Sequence, residues 1–101
     1  MAGSFDKIVL VRVGGRVQRV GYRAWTEGQA GARGLFGWVR NRANGDVEAL
    51  FAGSAMVVDA MIAACWRGPS SAEVGRVDVE SADETRLAWR GSAIFAVLPT
   101  E

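Results

Sequence analysis

Residues 7–33, KIVLVRVGGRVQRVGYRAWTEGQAGAR, contain the pattern of a strand, a glycine-rich loop and a helix in succession. Residues 7–13 are almost all β-branched or large and apolar, which predicts a strand. Residues 14–21 contain three glycines and predict the loop. Residues 22–33 predict a helix, and four of its side chains share a face at helical spacing: Tyr22, Trp25, Gln29 and Ala30.

The remaining chain predicts three further strands, a second helix and a short fifth strand. Residues 36–42 and 46–51 flank an Asn-Gly turn and predict a hairpin. Residues 56–66 predict a helix that ends before Gly68-Pro69, and alternating valines at positions 74, 77 and 79 predict the fourth strand. Residues 94–98 predict the fifth. The order β-α-β-β-α-β predicts a ferredoxin-like α+β sandwich, an antiparallel sheet with both helices on one face.

Length and composition restrict the chemistry available to the protein. A chain of 101 residues, 50% hydrophobic, predicts one domain over residues 1–101, with an ordered core at about 7–98. The absence of histidine removes the usual general base and the commonest zinc ligand. With a single cysteine, Cys65, the chain forms neither an internal disulfide nor a paired-cysteine metal site. We see no signal peptide and no membrane-spanning stretch, and expect a cytoplasmic protein.

The near-zero net charge of +1 conceals an asymmetry between the two halves. Residues 1–45 hold eight basic and two acidic side chains, whereas residues 46–101 hold four basic and nine acidic ones. A basic half is typical of a partner that carries phosphate or carboxylate groups. The alternative is a general use of arginine for surface charge, since eleven of the twelve basic residues are arginine.

The loop before the first helix is the first candidate binding site. A loop that leads into a helix presents unpaired backbone N–H groups and the positive end of the helix dipole, and both bind anions. Arg23 falls in the first helical turn, where a cation is unfavourable by about 0.3–1 kcal/mol. That position is understandable if a phosphate lies between the guanidinium and the N–H groups. On local grounds, a surface arginine on a turn accounts for Arg23 equally well.

Asn41 is the second candidate. It is an amide late in an apolar and basic strand, where asparagine is disfavoured, and it could orient water or substrate. Considered alone, the turn preference of asparagine at strand ends accounts for it better.

Together, two segments carry a resemblance to the acylphosphatase family. Gly15-x-Val17-Gln18-x-Val20-Gly21-Tyr22-Arg23 resembles the first signature of that family, and Gly37-Trp38-Val39-Arg40-Asn41-x-x-x-Gly45-x-Val47 resembles the second. The end of the second predicted helix, from Cys65 to Pro69, also resembles the family. The similarity runs from about Lys7 to Leu98.

The resemblance implies an enzyme that hydrolyses the carboxyl-phosphate bond of acyl phosphates and releases inorganic phosphate. It implies that Arg23 holds the phosphate, that Asn41 positions the attacking water, and that neither metal nor cofactor is needed. The implied phosphate-binding loop consists of Gly15, Arg16, Val17, Gln18, Arg19, Val20, Gly21 and Tyr22. The expected partner is a small-molecule substrate rather than nucleic acid or a membrane, and the expected state is a monomer.

Two departures from the family pattern lie near this loop. Glycine is usual in the family at position 19, where this chain has Arg19. We expect the backbone there to have a negative φ, so that Arg19 only adds positive potential at the mouth of the site. Arg33 replaces a commonly apolar residue at the end of the helix, and we expect looser packing there.

Two rival functions remain open at this stage. The first is a nucleic-acid-binding module, since the same sheet architecture serves RNA recognition. No pair of aromatics at the spacing of the RNA-recognition signature supports it. The second is an anion-binding domain without catalytic activity, against which the presence of both Arg23 and Asn41 argues.

Overall fold

A computed structural model describes residues 5–101 of the chain. The first four residues of the predicted domain lie outside the described part. The elements, in chain order, are β1 (Lys7–Arg16), α1 (Tyr22–Ala32), β2 (Phe36–Asn41), β3 (Val47–Gly53), α2 (Ala55–Cys65), β4 (Glu73–Ser81), α3 (Glu84–Leu87), a 3₁₀-helix (Ala88–Arg90) and β5 (Phe95–Val97). Within residues 5–101, no helix is long and apolar enough to cross a membrane.

The five strands form one sheet in the order β4-β1-β3-β2-β5. The pairs β1–β3, β1–β4 and β2–β3 are antiparallel, whereas β2 and β5 are parallel. The ferredoxin-like α+β fold is therefore confirmed. The predicted antiparallel arrangement holds for the four strands β4-β1-β3-β2, and β5 departs from it because it runs parallel to β2. The chain reaches β5 through α3 and the 3₁₀-helix, a connection long enough to bring the last strand back in the direction of β2.

Both long helices pack on one face of the sheet. Inward-facing side chains of alternate strand residues, such as Val11, Val39 and Phe51, form a buried core with residues of α1 and α2. Cys65 is a free cysteine buried in this core. The helical face therefore contains most of the apolar contacts of the molecule, and it fixes where α1 begins relative to the sheet.

The opposite face of the sheet is covered by α3 and the 3₁₀-helix, which the sequence did not predict. Leu87 closes a second cluster over Leu10 and Leu50. Trp38 stacks on Trp89 at a centroid separation of 5.3 Å and donates its indole N–H to the Arg86 carbonyl at 2.7 Å. Asp83 and Glu84 are exposed, and the Asp83 carboxylate caps α3, which begins at Glu84.

Strand β1 is three residues longer than predicted and continues to the edge of the site. The pairing with β4 shifts register between Gly14 and Gly15, which is a β-bulge. Gly15 has φ 118°, and a Cβ atom there would lie 2.4 Å from the Glu73 carbonyl oxygen. Only glycine fits at this position. The loop that follows the bulge leads to the start of α1.

A buried carboxylate on the second face contacts three arginines of the basic half. Glu48 is 2% exposed, and its oxygens lie 3.0 Å from Arg12, 2.8 Å from Arg40 and 3.2 Å from Arg42. Burial raises the pKa of Glu48. The hydrogen bonds and positive charges of the arginines lower it by more than burial raises it, so the net pKa lies below its ordinary value. Glu48, together with Glu80 on Arg12, therefore offsets two of the three positive charges of these arginines.

Replacing Glu48 with glutamine is expected to destabilise the fold by about 2 kcal/mol at neutral pH. Removing one partner of a fully buried ion pair costs about 3–5 kcal/mol, and the partial exposure of the arginines lowers the cost here. Because the folded pKa is depressed, the carboxylate stabilises the fold above its unfolded pKa of about 4.3 and loses that effect as the pH falls through the folded pKa. Thermal unfolding from pH 7 to pH 3 measures both effects.

The matched control is Glu80→Gln, because Glu80 pairs with the same Arg12 but its side chain is 55% exposed. An exposed pair contributes about 0–1 kcal/mol, so this variant should melt close to the wild type. Equal losses in the two variants, or a Glu48→Gln deficit that persists unchanged at pH 3, would contradict the assignment.

Candidate active site

A cleft of about 340 Å³ lies where the β1–α1 loop meets the end of β2. Arg23 and Asn41, predicted from separate segments, line this one cleft. Four predicted loop residues line it with them, namely Val17, Arg19, Gly21 and Tyr22. The other four do not: Gly15 and Arg16 pair with β4, Gln18 contacts the β2–β3 turn, and Val20 packs against the helical core.

The loop presents a run of unpaired backbone donors. Among the described residues, the N–H groups of residues 17–24 donate to no carbonyl or side-chain acceptor. The first intrahelical bond of α1 runs from the Trp25 N–H to the Gly21 carbonyl at 3.0 Å. Gly21, with φ 81°, opens the helix without a side-chain cap, and no acidic residue lies in the first turn. The positive end of the helix is thus open to an anion.

Arg23 is the second residue of α1 and is half-buried at the cleft. Within residues 5–101 its guanidinium forms no ion pair, in contrast to Arg40, which is held by Glu48. Arg23 thus lines the same cleft as the loop that carries the free N–H groups, and guanidinium and backbone N–H groups are both donors suited to a phosphate-like anion.

Asn41 is the last residue of β2, and the backbone on both sides of it is fixed. It pairs with Val47 of β3, and its carbonyl accepts the Glu101 N–H at 3.1 Å. Its side-chain amide forms no hydrogen bond with any described residue, so both ends of the amide remain available to a ligand or water in the cleft.

Tyr22 contributes its backbone rather than its phenol to the cleft. The hydroxyl donates to the Cys65 carbonyl at 2.6 Å inside the core. Burial, followed by the contact with Cys65, raises the pKa of the phenol far above its ordinary value. Tyr22 is therefore not an acid or base in this site, and its side chain fixes the start of α1 against the end of α2.

Gln18 ties the loop to the β2–β3 turn. Its side-chain amide donates to the Arg42 carbonyl at 2.8 Å and to the Asp46 carbonyl at 2.9 Å. These two hydrogen bonds connect the segment that carries the N–H groups to the segment that carries Asn41. The sequence contained no signal for this link, because its acceptors are backbone carbonyls 24 and 28 residues away.

Truncating this side chain, Gln18→Ala, is expected to cost about 1–2 kcal/mol of stability, since two part-buried hydrogen bonds are lost. The loop should also hold its N–H groups less well, so we expect inorganic phosphate to inhibit about tenfold more weakly. Melting temperature and the phosphate inhibition constant measure the two effects. The control is Gln29→Ala, near the C-terminal end of α1. If the phosphate inhibition constant is unchanged in Gln18→Ala, Gln18 has a structural role only.

The backbone at Arg19 differs from the expectation. Arg19 has φ 64°, and it is the one non-glycine residue with positive φ between residues 5 and 101. A side chain in this left-handed region costs roughly 1–2 kcal/mol. The negative φ that we expected is therefore wrong, and the loop keeps a conformation suited to glycine while carrying an arginine. Arg33, by contrast, ends α1 with its guanidinium bonded to Gln29.

Residues 9–89 match the family model for acylphosphatase. The chain belongs to the acylphosphatase family. It is 55% identical over 95 residues to an acylphosphatase of Bradyrhizobium diazoefficiens, covering 92% of this chain and 95% of that one. It is 58% identical over 92 residues to an acylphosphatase of Rhodopseudomonas palustris, covering 89% and 92%.

Solved structures of the family agree with the fold. An acylphosphatase from Coxiella burnetii superposes with a TM-score of 0.80 at 29% identity, covering 91% of this chain and 92% of that one. An acylphosphatase from Bacillus subtilis superposes with a TM-score of 0.79 at 30% identity, covering 90% and 97%. The family model covers the loop, α1 and the end of β2, and therefore all the residues that line the cleft except Val97 of β5.

Proposed function

We propose that this acylphosphatase cleaves acyl phosphates with Arg23 and the loop N–H groups holding the phosphate and Asn41 orienting the water. The reaction converts an acyl phosphate dianion and water into a carboxylate and dihydrogen phosphate. The oxygen of water forms a bond to phosphorus, and the bond from phosphorus to the acyl oxygen breaks. The charge of −2 is conserved, because each product carries −1.

The observation that carries this proposal is that one cleft is lined by Arg23, by Asn41 with its unpaired amide, and by loop and helix residues whose N–H groups are free, at positions 17, 19, 21, 22 and 24. Arg23 and the N–H groups can neutralise the phosphate oxygens, and Asn41 can hold a water beside the phosphorus. Phosphoryl transfer needs mainly positioning and charge stabilisation of this kind.

The chain needs no histidine for such a reaction. The leaving group is a carboxylate, a weak base that departs without a proton from an acid. The proton of the attacking water can pass to a phosphate oxygen, which is adjacent to it. The absence of imidazole from the sequence is therefore compatible with the proposed roles of Arg23 and Asn41.

The test of the activity is hydrolysis of benzoyl phosphate with a chelator present. We expect turnover that the chelator does not reduce, and competitive inhibition by inorganic phosphate. No hydrolysis would favour a non-catalytic anion-binding module, and tight binding of an RNA oligonucleotide by the same preparation would favour the nucleic-acid alternative.

The proposal extends to the setting of the enzyme: one domain that acts as a monomer in the cytoplasm. A monomer is supported because one chain supplies both Arg23 and Asn41 to the cleft. The compartment is supported by a single buried cysteine without a disulfide. Sedimentation over a range of concentrations should give 10.8 kDa, and fractionation of cells should place the protein in the cytoplasm.

A further inference from the structure

Arg19 presents a cation to the cleft at a conformational cost. Its φ of 64° is unfavourable for any side chain with a Cβ atom, and its side chain is exposed. Yet Arg19 lines the same cleft as Arg23 and Asn41. A strained residue that persists at a binding site is a reason to look for a role of its side chain.

The charge of Arg19 is available to a ligand. Among residues 5–101 its guanidinium forms no ion pair and no side-chain hydrogen bond, whereas Arg12 is held by Glu48 and Glu80. Three charged residues line the cleft, namely Arg19, Arg23 and Glu27. If the phosphate occupies Arg23 and the loop N–H groups, as proposed above, Arg19 is the one other cation that lines the cleft, and no described residue pairs with its charge.

The remaining charged residue that lines the cleft, Glu27, belongs to α1. It follows Arg23 by four positions, so the two residues lie on the same helical face, one turn apart. Glu27 therefore lines the cleft as part of the helix, whereas Arg19 lines it as part of the loop before the helix. An anionic group on a bound substrate is therefore attracted toward the loop and away from Glu27.

From these observations we infer that Arg19 determines specificity by binding a carboxylate on the acyl part of the substrate. The preferred substrates are then acyl phosphates of dicarboxylic acids, in which one carboxyl is phosphorylated and the other is free. The inference rests on the proposed function, since it assumes the phosphate position given there. Guanidinium is suited to the role because its planar N–H donors match a carboxylate.

The experiment compares 4-carboxybenzoyl phosphate with 4-methylbenzoyl phosphate. These substrates are similar in size and in leaving group, and they differ mainly in the free carboxylate. We expect the wild type to prefer the carboxylate substrate about fivefold in kcat/KM, as one exposed charge pair allows. The preference should decline at 0.5 M NaCl, because salt screens a contact at the mouth of the cleft.

Three variants test whether Arg19 is responsible. Arg19→Asn should bring the ratio of the two kcat/KM values close to one, and asparagine tolerates the left-handed backbone. Arg19→Lys should retain most of the preference, because it keeps the charge. The control Arg86→Gln removes a cation on the opposite face of the sheet and should change the ratio by less than twofold.

The outcomes separate this inference from the proposed function. If the wild type hydrolyses 4-methylbenzoyl phosphate without preferring the carboxylate substrate, the inference fails and the function stands. An equal ratio in Arg19→Asn and wild type, or an equal loss in Arg86→Gln, also overturns it. If the wild type hydrolyses neither substrate, the proposed function is wrong, and the inference that rests on it is wrong as well.

Discussion

Arg23→Gln is expected to abolish competitive inhibition by inorganic phosphate and to lower kcat/KM for benzoyl phosphate by at least about 10²–10³. One well-placed donor in an oxyanion-type site is worth that factor, and Arg23 supplies a full charge as well. In the folded chain no described residue competes for this guanidinium, so its side chain is free to engage the phosphate. Steady-state kinetics with increasing inorganic phosphate measure both losses.

The matched control is Arg33→Gln, at the other end of the same helix. Arg33 is bonded to Gln29 and lies outside the cleft, so this variant removes the same charge without touching the site. We expect its phosphate inhibition constant to stay within about twofold of the wild type. Wild-type turnover of benzoyl phosphate by Arg23→Gln would show that the phosphate is held elsewhere.

The long elements of the fold were predictable because their patterns are local. β1, β3 and α2 show the strand or helix period over seven or more residues, and the structure places them within a few residues of the predicted bounds. α3 has four residues, too few to show a helical period, and its signal is the cap at Asp83. The direction of β5 depends on a path over the far face of the sheet, which no local pattern encodes.

The cleft was predictable in its residues but not in its arrangement. Motif resemblance selected Arg23 and Asn41, and the structure brings both to one cleft. The hydrogen bonds of Gln18 and the contact of Glu48 with Arg12 could not be predicted, because each joins segments 24 or more residues apart in sequence. The contacts of Glu48 with Arg40 and Arg42 lie across the predicted hairpin and depend on its exact register. For Arg19, a local pattern does not fix the sign of φ, since the loop on either side determines it.

The pairing of Glu48 also changes the meaning of the charge asymmetry. Eight basic residues in the first half indicated a partner with phosphate or carboxylate groups, but Arg12, Arg40 and Arg42 surround one buried carboxylate. That carboxylate belongs to the acidic half of the chain, so these three arginines contact a group of the fold itself. The positive charge left at the cleft comes mainly from Arg19 and Arg23, together with the open end of α1.

Asn41→Ala is expected to lower kcat by about 10²–10³ while leaving the inhibition constant of inorganic phosphate within about threefold of the wild type. A group that orients water acts in the transition state and adds little to binding of the phosphate itself. Because the backbone of Asn41 is held by Val47 and Glu101, the truncation should leave the strand in place. Single-turnover kinetics, phosphate inhibition and thermal melting separate the three quantities.

Two further variants sharpen the assignment. Asn44→Ala removes an asparagine from the neighbouring turn, where its side chain bonds only to Asp46, and should leave kcat nearly unchanged. Asn41→Asp keeps the shape but places a negative charge beside the phosphate, so it should weaken phosphate inhibition as well as turnover. A large rise in the phosphate inhibition constant of Asn41→Ala, with kcat preserved, would mean that Asn41 holds the phosphate and that another group orients the water.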